Sequence, residues 1–159
     1  MASFYHYRTP FGIVAIGCDE GVLTHVALGA KELPGVFQPC ALSNEAANQL
    51  QEYLAGKRRL FDLPLKPSGT PFHLQVWDAL QFIPYGQTRS YSEVAASIGR
   101  PSSSRAVGQA VKANPLAIVI PCHRVLPADG SLGGYAYGPR TKAFLLDLES
   151  RTLSAGFGG

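Results

Sequence analysis

The chain has 159 residues, 46% of them apolar and 16% charged, with a net charge of +3 at neutral pH. This describes a globular protein long enough to bury a core without crosslinks, which excludes a disulfide scaffold. Three widely spaced cysteines without a C-x-x-C pair, no apolar run of membrane length, and an opening Met-Ala-Ser-Phe-Tyr without an apolar leader predict a reduced, cytoplasmic protein with no membrane partner and no metal site.

In chain order, "SFYHYR", "IVAIGC" and "VLTHVAL" alternate as strands do, separated by a Thr-Pro-Phe-Gly turn and an Asp-Glu-Gly turn. They predict an antiparallel meander. A Gly/Pro-containing loop follows, and then "SNEAANQLQEYLAGK", with Ser43 as N-cap, apolar or small residues at 46, 47, 50, 53 and 54, and Gly56 as a stop, predicts one amphipathic helix over that sheet. The connector "LFDLPLKPSGT" lacks helical periodicity and sets a boundary near residue 68, giving lobes of residues 1–68 and 69–151 and a disordered tail at 152–159. The second lobe carries the whole basic surplus, with eight basic and five acidic side chains in residues 71–159 against six of each in residues 1–70.

Thr70 as N-cap and Pro71 at the first helical position open a helix that runs through Phe72, Val76, Ala79, Leu80 and Ile83 to a Pro-Tyr-Gly stop. Ser90 and Glu93 form a capping box for a short helix that Gly99 and Pro101 end. Ser102 is positioned to cap a second helix over 103–113, burying Ala106, Val107, Ala110 and Val111 before Asn114-Pro115. Together these predict a helix-turn-helix whose first turn offers Ser102, Ser103, Ser104 and Arg105, with free backbone amides, to phosphate oxygens.

The run "LAIVI" at 116–120 is apolar and β-branched, the pattern of a buried strand that Pro121 ends. Cys122 then opens a loop. Cys18 and Cys40 have no polar neighbour in sequence and read as packing residues, whereas Cys122 is followed by His123 and Arg124, which both favour a thiolate. In an extended segment adjacent side chains diverge, so His123 reaches Cys122 through a turn or a bridging water. It also needs an acidic partner to fix its tautomer, drawn from Asp78, Glu93, Asp129, Asp147 and Glu149. Two chemistries fit: a cysteine hydrolase or acyltransferase, which lacks its usual signatures here, and a thiol that attacks an electrophile carried on DNA.

"PCHRV" at 121–125, preceded by "SRAVGQAVKANP" and followed by "GGYAYGPRTKAFLLDLE", closely resembles the O6-alkylguanine-DNA alkyltransferases, also called methylated-DNA-protein-cysteine methyltransferases. The resemblance is specific over about residues 71–149 and compatible over 1–70. It implies a mixed α/β fold: a small ribonuclease-H-like N-terminal sheet with a helix, and a mainly helical C-terminal lobe with the helix-turn-helix. It implies single-turnover DNA repair without a cofactor, in which Cys122 takes the alkyl group from O6 of guanine and keeps it as a thioether. His123 matches the histidine that deprotonates the thiol through a water, Glu149 the carboxylate that orients it, and Asn114 an asparagine that ties the halves of the site together. Tyr91 matches the tyrosine that protonates the leaving guanine and helps turn the nucleotide out. Arg105 matches the arginine that replaces the flipped base, and Arg124 joins the residues on DNA. Val111, Ala117, Val125, Tyr135 and Tyr137 are placed around the base pocket. The partner is double-stranded DNA carrying O6-alkylguanine, met by a monomer, with cooperativity on DNA left open. The runner-up is a DNA-binding regulator whose thiol senses alkylation or oxidation.

Two departures bear on specificity. Tyr137-Gly138 stands where family members have Gly-Gly, and Ala117 where many have proline. They predict efficient methyl transfer and poor reaction with O6-benzylguanine.

Overall fold

The structure, a computed structural model, describes residues 1–155, and the chain divides into two compact units. The first holds Met1–Ser68 together with Pro115–Val119, and the second holds Gly69–Asn114 and the chain from Ile120 onward.

In the first unit β1 (Ser3–Thr9), β2 (Gly12–Asp19) and β3 (Val22–Leu28) form the antiparallel meander that the alternation predicts, with Tyr5 opposite Ile16 and Val14 opposite Leu28. A short β4 (Val36–Phe37), absent from the sequence reading, adds in parallel to β1 and gives the order β3-β2-β1-β4. Helix α1 (Ala41–Leu54) buries Ala46, Ala47, Leu50 and Tyr53, the face its periodicity marks. Its start differs from expectation. Cys40 is the N-cap, and its sulfur accepts from the Ser43 amide at 3.4 Å while the Ser43 hydroxyl accepts from the Cys40 amide at 2.9 Å. Ser43 therefore sits at the third helical position, because a thiol can serve a capping box that sequence habit assigns to oxygen. Buried Gln49 ties α1 to the connector through both the carbonyl and the amide of Asp62.

The run 116–120 is buried as expected but is not a strand. Only Leu116 pairs, bridging Val26 on the free edge of β3, and residues 117–119 then turn, with Ile118 at φ 71°. The apolar pattern reported burial correctly. It could not report shape, since a coil packed on all sides reads the same as a central strand.

The second unit is helical. Thr70 caps α2 (Pro71–Leu80) by accepting from the His73 amide at 3.1 Å. Trp77, which the sequence reading passed over, is 2% exposed and donates its indole N–H to the Ala110 carbonyl at 2.8 Å. A two-residue β5 (Arg89–Ser90) leads into α3 (Tyr91–Ser97), and the Ser90–Glu93 capping box is formed in both directions. Helix α4 (Ser104–Lys112) completes the helix-turn-helix, burying Val107, Ala110 and Val111 and leaving Ala106 exposed. Ser103, not Ser102, is its N-cap, and no side chain caps it. After a 3-10 turn over Cys122–Arg124, β6 (Val125–Leu126) pairs in parallel with β5. Helix α5 (Pro139–Ser154) closes the unit and runs through the expected tail: Thr152 is buried, with its hydroxyl on the Leu148 carbonyl. The rest of that tail, residues 156–159, lies outside the described residues. No described helix is long and apolar enough to cross a membrane.

Candidate active site

Pro121 redirects the chain into the 3-10 turn, closed by the Arg124 amide on the Pro121 carbonyl at 3.0 Å. This replaces the extended segment that the sequence suggested. At three residues per turn, successive side chains fan around an axis and do not alternate between two faces, so His123 and Arg124 both reach Glu149 on α5. His123 Nε2 lies 2.7 Å from Glu149 Oε2. Arg124 donates through Nε to Oε1 and through Nη2 to Oε2, both at 2.9 Å, and the Gly86 amide donates to Oε1 at 2.9 Å. Burial alone would disfavour a charge on Glu149. The bonds to His123 and Arg124 more than offset it and hold the carboxyl at about 2. Arg124 also donates to the Ile83 carbonyl at 2.8 Å and lies over the Tyr85 ring.

Cys122 is 4% exposed. Burial pushes its thiol up, while the neighbouring Asn114 and Tyr135 side chains and the positive charge of Lys142 act the other way. Asn114 also donates to the Ile120 carbonyl at 2.9 Å, which fixes the backbone leading into the turn. Lys142 is fully buried, donating to the Val125 carbonyl at 2.7 Å and the Gly134 carbonyl at 3.2 Å. Burial lowers its ammonium to about 8, partly opposed by Cys122. Burial likewise lowers His123, against the opposing pull of Glu149, so the imidazole is neutral at physiological pH. With Nε2 donating to the carboxylate, Nδ1 is left as the basic nitrogen.

Tyr91, the first residue of α3, packs its ring over Gly108 of α4, where an added Cβ would lie 3.7 Å from the ring. Its hydroxyl is beside Gly133, which is held at φ +71°. Burial first and the Cys122 charge second raise the phenol, keeping it a proton donor. The same two causes raise Tyr135. Tyr137 meets Tyr135 edge-on with ring centroids 5.8 Å apart.

The second unit thus holds a buried thiol, a neutral histidine bonded to an ionised glutamate, and a helix-turn-helix. The DNA-binding domain model of 6-O-methylguanine DNA methyltransferase matches residues 71–151, and its ribonuclease-like domain model matches residues 4–67. The chain belongs to this methyltransferase family. The constitutive methylated-DNA–protein-cysteine methyltransferase of Bacillus subtilis is 56% identical over 159 residues, covering 89% of this chain and 92% of that one. The Methanosarcina barkeri enzyme of the same name is 47% identical over 151 residues, covering 92% of this chain and 96% of its own. Among solved structures, Mycobacterium tuberculosis OGT in complex with DNA superposes with a TM-score of 0.88 at 40% identity, covering 94% of each chain.

In this family member the expected site residues do not all share one environment. Cys122, His123, Glu149, Asn114, Tyr91 and Tyr135 are gathered around one sulfur and one carboxylate. Arg105 is exposed on the first turn of α4, with Ser102, Ser103 and Ser104 beside it. Arg124, expected on DNA, is 7% exposed, with its guanidinium engaged by Glu149 and the Ile83 carbonyl. Val111 and Val125 are core residues of the second unit, and Ala117 belongs to the first, where its amide bonds the Val26 carbonyl. Lys142 and Gly86 were missed. For Lys142 a signal existed, since 142, 145, 149 and 152 share one face of a helix whose other members there are buried. For Gly86 there was none beyond its place in a turn.

Proposed function

We propose that the chain repairs DNA by moving the alkyl group of O6-alkylguanine in double-stranded DNA irreversibly onto Cys122 Sγ, once per molecule. The observation that carries this is the Cys122 sulfur beside Asn114 and Tyr135, in the turn whose next residue donates to the ionised Glu149. Burial keeps the resting thiol protonated, which protects it from adventitious electrophiles. On engagement the thiol proton passes through a bridging water to His123 Nδ1, and the imidazolium is stabilised by Glu149. Sγ then attacks the alkyl carbon in line. A C–S bond forms, the C–O6 bond breaks, and the departing guanine is neutralised by the Tyr91 hydroxyl. Atoms and charge balance without a cofactor or metal. The thioether is stable, so the protein is consumed.

A thiol buried in a rigid turn cannot reach an atom inside the base stack, so the nucleotide leaves the duplex. Arg105, charged and planar at the exposed start of α4, fills the gap. The uncapped first-turn amides and Ser102, Ser103 and Ser104 take the flanking phosphate. In this reading residues 69–151 carry both DNA binding and the acceptor, a single copy suffices, and the location is cytoplasmic.

The test is duplex DNA carrying O6-methylguanine with a labelled methyl group. Label appears on Cys122 at one equivalent and is lost in Cys122→Ala, which still binds the duplex. Tight binding by the unaltered protein without transfer would instead establish a sensor. The Tyr137 ring against Tyr135 adds bulk to the pocket loop, so O6-benzylguanine reacts more slowly than the methylated duplex, by roughly tenfold or more. Tyr137→Gly restores part of the benzyl rate; second-order rates that are equal for both substrates would refute the specificity.

A further inference from the structure

The alkyl-transfer chemistry leaves two cysteines unused, and they meet. Cys18 lies at the end of β2, where a bulge between Gly17 and Cys18 shifts the register against β3. Bulges re-aim side chains. Here the result is a Cys18 that is 5% exposed and faces the same cleft as Cys40. Both residues line one cleft of about 450 Å³, with Ser3, Gln38 and Leu42. The sulfurs differ in environment. Burial first, and the proximity of Cys40 second, push the Cys18 thiol up to about 12. Cys40 is only partly buried and sits at the N-terminus of a 14-residue helix. Burial opposes its ionisation, but the amide and hydroxyl of Ser43 and the Cys18 thiol outweigh that and lower it. No third His, Cys, Asp or Glu completes a metal-binding group among the described residues.

We infer that Cys40 and Cys18 form a peroxide-reactive pair, in which Cys40 is the attacking thiol and Cys18 the resolving one. The Cys40 thiolate attacks one oxygen of hydrogen peroxide, an S–O bond forms and the O–O bond breaks. The released hydroxide takes the proton that Cys40 gave up, leaving a sulfenic acid and water. Cys18 then attacks that sulfur, an S–S bond forms, the S–O bond breaks, and the second hydroxide takes the Cys18 proton as water. Two thiols are oxidised and one peroxide is reduced. The disulfide clamps the start of α1 to the end of β2 within the first unit, and Cys122 takes no part.

The experiment treats the reduced full-length protein with one equivalent of hydrogen peroxide, removes the peroxide, unfolds the protein in denaturant, blocks remaining thiols with N-ethylmaleimide, and maps the peptides. The expected product is a Cys18–Cys40 disulfide, with Cys122 alkylated by the blocking reagent and the product reversed by dithiothreitol. Cys18→Ser yields a sulfenic acid at Cys40 that dimedone traps, while in Cys40→Ser residue 18 remains a reduced thiol. Heating the oxidised protein shows a higher melting temperature than the reduced form. Full alkylation of both Cys18 and Cys40 in the peroxide-treated protein, or a disulfide that includes Cys122, would overturn the assignment; the first result leaves alkyl transfer to Cys122 untouched.

Discussion

Glu149 is 1% exposed and accepts from His123, from Arg124 twice and from Gly86, so its charge is spread over several interior donors. Removing the charge leaves the Arg124 guanidinium buried without its counterion. Breaking one side of such a pair costs about 3–5 kcal/mol. Glu149→Gln therefore unfolds at markedly lower urea, with the free energy of unfolding reduced by an amount in that range and the slope unchanged. It also slows alkyl transfer, since a neutral amide stabilises the His123 imidazolium poorly. Arg124 and Lys142 illustrate the same physics from the cationic side. Each is buried and each is tied to backbone carbonyls, so their charge serves the site's internal geometry and is unavailable to phosphates.

At the scale of elements, the site depends on where α5 is held. The turn after α2 supplies the Gly86 amide to Glu149, and Gly86 has φ +79° with Leu153 of α5 packed against the place where a Cβ would stand. Only glycine fits both demands. Gly86→Ala strains the backbone and displaces either Leu153 or the amide, costing about 1–3 kcal/mol. Chemical denaturation measures this, and transfer should fall more than the binding of undamaged duplex does, because α4 is untouched. Helix α3 is placed by a different device, the reciprocal Ser90–Glu93 box, which puts Tyr91 at the first helical position with its ring over Gly108. A seven-residue helix cannot hold itself. It persists through that cap and through Val94 and Ala95 in the core.

For the whole molecule the buried ionisable groups set the response to acid. Glu149 is held at about 2 when folded, against about 4.3 in an unfolded chain. Its contribution is fully present above the unfolded value and is lost as pH falls through the folded one. His123 is lowered by burial, so the unfolded chain takes its proton first, and stability falls in the same direction from about pH 6.5 downward. Thermal melts should therefore show a gentle decline below about pH 6.5 and a steeper one below about pH 4.3. Glu149→Gln removes the steeper component. Stability that rises on acidification would contradict the burial of both groups. The net charge points the same way: Arg124, Lys142 and Glu149 are all interior, so the basic surplus available to DNA in residues 71–159 rests on fewer side chains than the sequence total.

The sequence by itself determined whatever a few neighbouring residues decide. Alternation and turn residues set β1 to β3, Thr70-Pro71 opened α2, Ser90 with Glu93 opened α3, and the Pro-Cys-His-Arg motif with its upstream helices marked the family. Local backbone preference and capping act within about one turn, so they are written in adjacent letters. Only the tertiary structure decided that 116–120 is a buried coil with a single bridge, that Arg124 turns inward and that Lys142 is interior. Each depends on a partner brought close by folding: Val26 for Leu116, Glu149 for Arg124, and the Val125 carbonyl for Lys142. A pattern of apolar and charged residues states what is buried. What a buried polar group bonds to is fixed only when distant parts of the chain supply the other half.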